Sequence, residues 1–95
     1  MELVFAWDKK KAEINFQKHN IGFEEAKTVF YNPLSKIFDD EIHSIKERRE
    51  IIIGYSSKGR LLIVIFTKRG QNLIRLISAR TATTKERKGY EENVK

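Results

Sequence analysis

The arginines that border or interrupt apolar runs are the side chains of this sequence best suited to binding an anion. Arg75 is the most informative, because it lies inside the run 73–77, where a charge is costly unless it is paired or faces solvent. One interpretation is a guanidinium that binds phosphate on an open sheet face. The other is an edge position or a structural salt bridge to a glutamate, the candidates being Glu2, Glu47 and Glu50.

Other side chains could join such a site. Arg49 and Arg80 border strands, where they could contact phosphate or simply be solvated. His19, near the end of a predicted helix, could exchange a proton at neutral pH, or be a packed structural residue. Tyr55 and Tyr90 could stack on a base or donate to phosphate, or anchor a small core.

The positive charge is concentrated in the second half of the chain. Residues 46–95 hold thirteen Lys or Arg and five Asp or Glu, whereas residues 1–45 hold six and eight. A basic surface binds polyphosphate by releasing counterions, so nucleic acid is the first partner to consider. The side chains that could steer it, each of which could equally be ordinary solvated surface, are Lys18, Arg60, Lys68, Arg69 and Arg87.

Several chemistries are missing from the sequence. The chain has no cysteine and only two histidines, which excludes thiolate catalysis and makes a metal site a poor interpretation. Its glycines lack the spacing of a phosphate-binding loop, so we expect no nucleotide cofactor. The sequence contains neither a signal peptide nor an apolar run long enough to cross a membrane. We therefore expect a cytoplasmic protein with no membrane association.

The first third of the chain predicts one short strand followed by two helices. Residues 3–7 are the strand candidate, and Asp8 is the predicted N-cap of a helix over 9–19. The i, i+4, i+7 spacing of Ala12, Phe16 and His19 places them on one helix face. Asn20 can end this helix in the left-handed conformation, and a second helix is predicted over 23–30. We assign four aromatic residues to the core: Trp7, Phe16, Phe23 and Phe30.

The rest of the chain predicts mainly strands. A short strand at 35–38 and an exposed loop over 39–46 precede three β-rich runs at 50–55, 60–68 and 72–80, with glycine in both connecting loops. Thr83 and Glu86 have the spacing of a capping box that begins a short polar helix. Together these elements predict an α+β fold in a single domain, 1–95. Two N-terminal helices pack on an antiparallel sheet of four or five strands, with a short C-terminal helix.

The order of these short blocks resembles the BrnT toxin family over nearly the whole chain. The specific combination is that of Lys18–Ala26 with Ile74–Arg87, and Phe5–Asp8 and Ser57–Leu62 are further matching blocks. Asn20 and Gly22 replace a glycine and a serine usual in the family, and both substitutions are compatible with helix ends. The resemblance implies a RelE-like fold and the ribonuclease toxin of a type II toxin–antitoxin pair. It also implies neutralisation by a BrnA-like antitoxin, whose DNA-binding domain alone would contact operator DNA.

The resemblance implies RNA cleavage that inhibits translation and growth. Without a metal ion or other cofactor, the 2′-hydroxyl of RNA would attack the adjacent phosphate and leave a 2′,3′-cyclic phosphate. Arg49, Arg75 and Arg80 would converge on one phosphate, while His19 or Tyr90 handles a proton. Two alternatives remain: a basic module that binds nucleic acid without cutting it, and a sheet that only docks a protein partner.

Overall fold

The computed structural model describes residues 2–93 and shows an α+β fold with five strands and three helices. The strands are β1 Val4–Ala6, β2 Lys36–Asp39, β3 Glu50–Tyr55, β4 Leu61–Arg69 and β5 Leu73–Thr81. The helices are α1 Lys9–His19, α2 Phe23–Ala26, which continues as a 3₁₀ turn over Lys27–Tyr31, and α3 Thr84–Asn93. A further 3₁₀ turn, Glu41–His43, interrupts the segment predicted to be a loop. Within residues 2–93, no helix is long and apolar enough to cross a membrane.

The sheet is mixed rather than wholly antiparallel, which corrects one detail of the expected fold. Its order is β1-β5-β4-β3-β2, and β2 to β5 form antiparallel neighbours. β1 runs parallel to β5, with Val4 beside Leu73. The two hairpins set the directions of β3, β4 and β5, and Gly59 and Gly70 take φ of 76° and 82° in their loops. No turn joins β1 to β5, so the sequence carries no signal for their relative direction.

β4 is buried on both faces, as its continuous apolar run predicts. Leu62, Val64 and Phe66 belong to a core cluster formed with α2 and the 3₁₀ turn that follows it. Leu61 and Ile63 point the other way and pack with Ile53 and Tyr90. The sheet therefore has a helix face, covered by the N-terminal helices, and an α3 face, which α3 covers at one end.

α1 has the predicted caps but presents a different side to the sheet. The Asp8 carboxylate accepts from the Lys11 amide, and Asn20 ends the helix with φ 59°. The buried residue is Asn15, and Phe16 is 53% exposed, so the assignment of Phe16 to the core was wrong. His19 is also exposed rather than packed against the sheet. The face of α1 that contacts the sheet therefore differs from the predicted apolar face, because hydrogen bonds of the polar side chain of Asn15 hold the helix to the sheet.

Asn15 bonds to a stretch of β5 that the short strand β1 does not reach. Its amide nitrogen donates to the carbonyls of Ile21 and Ala79 at 3.0 and 2.9 Å. Its amide oxygen accepts from the Ala79 amide at 3.0 Å. The side chain thus satisfies both polar backbone groups of Ala79, much as a neighbouring strand would. This pairing fixes the position of α1 over the helix face.

A bulge in β5 decides which side chains share the α3 face. Ile65 of β4 pairs with Ser78, and the next residue, Phe66, pairs with Leu76, so one residue of β5 is extra. Arg75 and Arg80 are five residues apart and would point to opposite faces of a regular strand. The extra residue reverses the alternation and brings both arginines to the α3 face.

Candidate phosphate site

Four side-chain positions form a row across the end of the α3 face that lies away from α3: Asp40, Arg49, Thr67 and Arg75. Asp40 and Thr67 are 4% and 3% exposed, and the two arginines are half-buried. Thr67 of β4 pairs directly with Arg75 of β5. The Asp40 amide donates to the Arg49 carbonyl at 2.9 Å, which continues the β2–β3 ladder by one residue beyond Asp39 and Glu50. The register then places Arg49 beside Thr67, and the Thr67 hydroxyl donates to the adjacent carbonyl of Arg48 at 2.9 Å. We call these four residues the open row.

Arg75 is the least constrained arginine of the open row. Among the described residues, its guanidinium has no ion pair and no side-chain hydrogen bond, so the glutamate partners considered from sequence are not used. Asp8 is near enough for the charge of Arg75 to help lower the pKa of its carboxyl, although the Lys11 amide contributes more to that shift. Arg75 is half-buried at its place in β5. It can therefore offer its donors to an incoming anion without first breaking a salt bridge.

Arg49 is held only loosely. Its nearest acidic group is Glu47, at 3.9 Å from Nε to the carboxylate, and Nε is buried without a hydrogen-bond partner. Two strand spacings separate Arg49 from Arg75, which is about 10 Å between backbones. Two long side chains on one face can approach a shared anion across that distance.

Arg80 lies on the same face but not in the open row. It pairs with Ile63, four residues along β4 from Thr67, which is about 13 Å. Both terminal nitrogens bind the Glu86 carboxylate, at 2.7 and 2.9 Å. This pair is the first cause that raises the pKa of Arg80 and lowers the pKa of Glu86 to about 2. The structure therefore does not bring all three arginines to one phosphate, as the sequence interpretation expected.

Several of the expected RNA-binding side chains are engaged in the fold. Arg60 binds the buried carboxylate of Glu25 with two nitrogens, and Ser56 donates to the same group. The Arg60 hydrogen bond is the main reason that the pKa of Glu25 is lowered, and burial of the carboxyl opposes it. Arg69 binds Glu47 at 2.8 Å. These contacts join separate segments of the chain, so both arginines stabilise the fold.

Tyr90 is placed as an anchor rather than as an exposed proton carrier. It is 5% exposed, and its hydroxyl donates to the Leu34 carbonyl at 2.8 Å. Burial is the first cause that raises its pKa. Its ring packs edge-on against Tyr55, whose hydroxyl accepts from Arg87 at 3.2 Å. This group fastens α3 to the covered end of the sheet, because α3 has little other apolar surface.

The remaining expected residues lie away from the open row. His19 and Lys18 are exposed on α1, which packs against the helix face. Lys68 is exposed near the end of β4, and alternation directs it away from Thr67 toward the helix face. Lys18 and Lys68 can contribute to the general positive field. The position of His19 on α1 places it on the opposite side of the sheet from Arg75.

Sequence reasoning missed three side chains in or beside the open row: Phe38, Asp40 and His43. Phe38 pairs with Ile51 one row away, and it is 54% exposed on the α3 face. Asp40 is 4% exposed, and its carboxylate binds the Nδ1 atom of His43 at 2.9 and 3.0 Å. The available signal was the i, i+3 spacing of Asp40 and His43, but that spacing is common in polar loops.

His43 and Arg49 line one cavity of about 510 Å³ together with Ile45, Lys46 and Glu47. It combines a histidine, two cationic groups and a carboxylate. Among the described residues, no group of three His, Cys, Asp or Glu side chains could hold a metal ion. The cavity and the neighbouring open row can bind an anionic group and place a proton acceptor beside it.

Comparisons with known proteins connect the chain to one family. The family model for the ribonuclease toxin BrnT of type II toxin–antitoxin systems matches residues 7–86. The 1.1 Å crystal structure of the Brucella abortus ribonuclease toxin BrnT is similar with a TM-score of 0.64 and 26% identity, and the match covers 88% of this chain and 99% of that one. A search of curated proteins found no match.

Proposed function

The chain belongs to the BrnT family of ribonuclease toxins from type II toxin–antitoxin systems, and from that premise we propose that it cleaves RNA at the open row. The observation that carries the proposal is that an unengaged Arg75 and a loosely held Arg49 lie on the same sheet face, on either side of Thr67. Within the part of the chain that the structure describes, no carboxylate competes for Arg75 within ion-pair distance. A phosphodiester can therefore bind Arg75 without displacing a structural contact.

In the proposed reaction, the 2′-hydroxyl attacks the neighbouring phosphorus and the bond to the 5′ oxygen breaks. Arg75 and Arg49 stabilise the negative charge that grows on the phosphoryl oxygens. The exposed ring of Phe38 offers a stacking surface for a flanking base. Arg80 has no part in this step, because Glu86 already occupies its donors. The products are a 2′,3′-cyclic phosphate and a 5′-hydroxyl.

The biological part of the proposal follows the family. RNA cleavage by the whole chain, as one domain over 1–95, inhibits translation and growth in the cytoplasm, where the RNA is found. A BrnA-like antitoxin neutralises the toxin and brings operator DNA into the complex through its own DNA-binding domain. Induction of the chain in bacteria should arrest growth, and co-expression of the antitoxin should restore it. Growth arrest that the antitoxin leaves unchanged would contradict this part.

Incubation of the purified chain with RNA in EDTA tests the chemistry. We expect cleavage to continue in the chelator, the fragments to carry 2′,3′-cyclic phosphate, and the all-2′-deoxy strand of the same sequence to stay intact. Cleavage that requires a divalent metal, or that proceeds equally on the deoxy strand, would show that the proposed mechanism is wrong. Binding of RNA without any cleavage would favour the non-catalytic binding module.

A further inference from the structure

We propose that His43, oriented by the buried carboxylate of Asp40, is the general base of the reaction, in place of His19 or Tyr90. This inference rests on the proposed ribonuclease activity and assigns the proton transfer that the arginines cannot perform. Neither His43 nor Asp40 belongs to the arginine set on which that function was argued. Their arrangement is a separate observation about the 3₁₀ turn Glu41–His43, which follows β2.

The orientation of His43 comes from one buried acceptor. The Asp40 side chain is 5% exposed and places both oxygens within 3.0 Å of His43 Nδ1. An ionised carboxylate only accepts hydrogen bonds, so Nδ1 carries the hydrogen and the neutral ring keeps its lone pair on Nε2. The His43 side chain is 57% exposed, and Nε2 has no hydrogen-bond partner among residues 2–93. A free, outward Nε2 fixed in one tautomer is the form that can accept a proton.

The Asp40–His43 dyad lies beside the proposed phosphate site. Asp40 is a member of the open row and lies next to Arg49, so the carboxylate sets His43 at the β2 end of that row. His43 and Arg49 line the same cavity. A phosphate bound by Arg49 and Arg75 would hold its ribose near this edge of the site.

The loop that carries His43 is fixed by short polar contacts. The Ser44 hydroxyl contacts the Asp40 carbonyl, and it accepts from the Arg49 amide at 2.9 Å. These bonds close the segment between the acid and the arginine into a compact turn. The charged groups that face His43 are Asp40 from its own turn and, around the cavity, Lys46, Glu47 and Arg49. The imidazolium formed in the reaction is therefore stabilised directly by Asp40.

The proton transfers in this scheme balance. His43 Nε2 takes the proton of the 2′-hydroxyl as the 2′ oxygen forms its bond to phosphorus. The bond between phosphorus and the 5′ oxygen breaks, and that oxygen takes a proton from water. The imidazolium then returns its proton to solvent. Asp40 is a positioning residue, because it contacts only the far side of the ring.

The test compares His43→Ala, His43→Gln and Asp40→Asn with the wild-type chain in single-turnover RNA cleavage. We expect both His43 variants to lose about 10² to 10⁴-fold in rate. Because only an unprotonated base can accept a proton, the rate of the wild type should rise with pH, and His43→Ala should lack that rise. Added imidazole should partly restore His43→Ala, which a purely structural role would not allow. Glu41→Gln, an exposed change in the same turn, is the matched control and should cleave at the wild-type rate.

Asp40→Asn separates orientation from folding. The variant should retain the wild-type circular dichroism spectrum and bind a 2′-deoxy oligonucleotide, yet show a lower rate and a displaced pH profile. Should Asp40→Asn fail to fold, the His43 variants and their imidazole rescue still decide the matter, because the His43 side chain is largely exposed. Wild-type cleavage that persists in His43→Ala, or that is lost in His19→Ala instead, overturns the dyad and leaves the ribonuclease proposal standing. A wild-type chain that never cleaves RNA overturns both.

Discussion

The seven arginines of this chain have different tasks, which their contacts distinguish. Arg60 and Arg80 are tied to Glu25 and Glu86, whereas Arg75 has no ion pair among the described residues. A guanidinium that holds a buried carboxylate supports the fold, and its removal leaves that charge uncompensated. A guanidinium with free donors is available to a ligand. We therefore expect arginine substitutions to fall into a stability class and an activity class.

Arg60→Ala should belong to the stability class, because it leaves the buried Glu25 carboxylate without its ion-pair partner. We expect the urea midpoint to fall clearly below that of the wild type. Arg48→Ala, which removes an exposed arginine that binds Asp39, should change the midpoint little. Equilibrium urea unfolding monitored by circular dichroism measures both. An Arg60→Ala chain as stable as Arg48→Ala would mean that the Glu25 pair contributes nothing to the fold.

Some of the individual site residues could be selected from the sequence, and others could not. Arg75 could be selected because a charge inside an apolar run demands an explanation, and the structure places it on an open face. His43 could not be selected, because the role proposed for it depends on a buried partner, Asp40, in a loop whose sequence is typical of solvated loops. Arg80 has the same local pattern as Arg49. The pairing of Arg80 with Ile63, away from the open row, and the position of Glu86 at the start of α3 separate their roles.

The elements were easier to predict where a cap or a glycine marks their ends. Asp8 and Asn20 bound α1, and Thr83 and Glu86 form the expected capping box at 3.1 and 2.8 Å. The parallel direction of β1 and the bulge in β5 had no comparable local signal, because long-range pairing determines both. The bulge matters most, since it brings Arg75 and Arg80 to the same face.

The hydrogen bonds of Asn15 to β5 should make a measurable contribution to stability. Asn15→Ala should lower the free energy of unfolding by about 3 kcal/mol, because it leaves buried backbone groups of Ala79 and Ile21 without partners. Gln17→Ala, an exposed change on the same helix, should cost less than about 0.5 kcal/mol. Urea unfolding of both variants provides the comparison. Equal stability of the two would show that α1 is not held by the Asn15 amide.

The ion pair between Glu86 and Arg80 predicts how the stability of the fold depends on pH. The pKa of Glu86 falls from 4.5 to about 2 in the fold, so its contribution is complete above pH 4.5 and is lost as the pH drops toward 2. Because both partners are partly exposed, we expect about 1 kcal/mol from the charge. Glu86→Gln should therefore lose stability at pH 7 and lose less on acidification than the wild type. Glu92→Gln, exposed on the same helix, should follow the wild type, and a Glu86→Gln curve parallel to it would contradict the ion pair.

The whole molecule combines a net charge of +6 with a row of polar and basic side chains on the α3 face, beyond the end where α3 packs. The general field attracts any polyanion, so charge alone cannot distinguish a binder from an enzyme. The arrangement of the open row, with two available guanidinium groups and a histidine turn at its edge, is what favours catalysis. Composition could therefore predict the class of partner, whereas the proposed reaction site depends on the arrangement of side chains in the folded chain.

The salt dependence of binding should separate the local site from the general field. For a 2′-deoxy oligonucleotide, the slope of log affinity against log salt should become shallower by roughly 0.7 for each phosphate contact removed. Arg75→Ala should show this change, and Arg48→Ala, on the helix face, should not. Fluorescence anisotropy at several salt concentrations measures the slopes. Identical salt slopes in the two variants would show that the oligonucleotide is bound only by the general positive charge of the protein.

The most direct measurement is the single-turnover rate of RNA cleavage in EDTA for Arg75→Ala and Arg49→Ala beside Arg48→Ala. Arg48 and Arg49 are adjacent in sequence and lie on opposite faces of the sheet, so they form a matched pair. Loss of a group that stabilises charge in the transition state should slow Arg75→Ala and Arg49→Ala by about 10² to 10³-fold, with Arg48→Ala near the wild-type rate. Equal rates for Arg48→Ala and Arg75→Ala in folded protein would contradict the assignment of RNA cleavage to the open row.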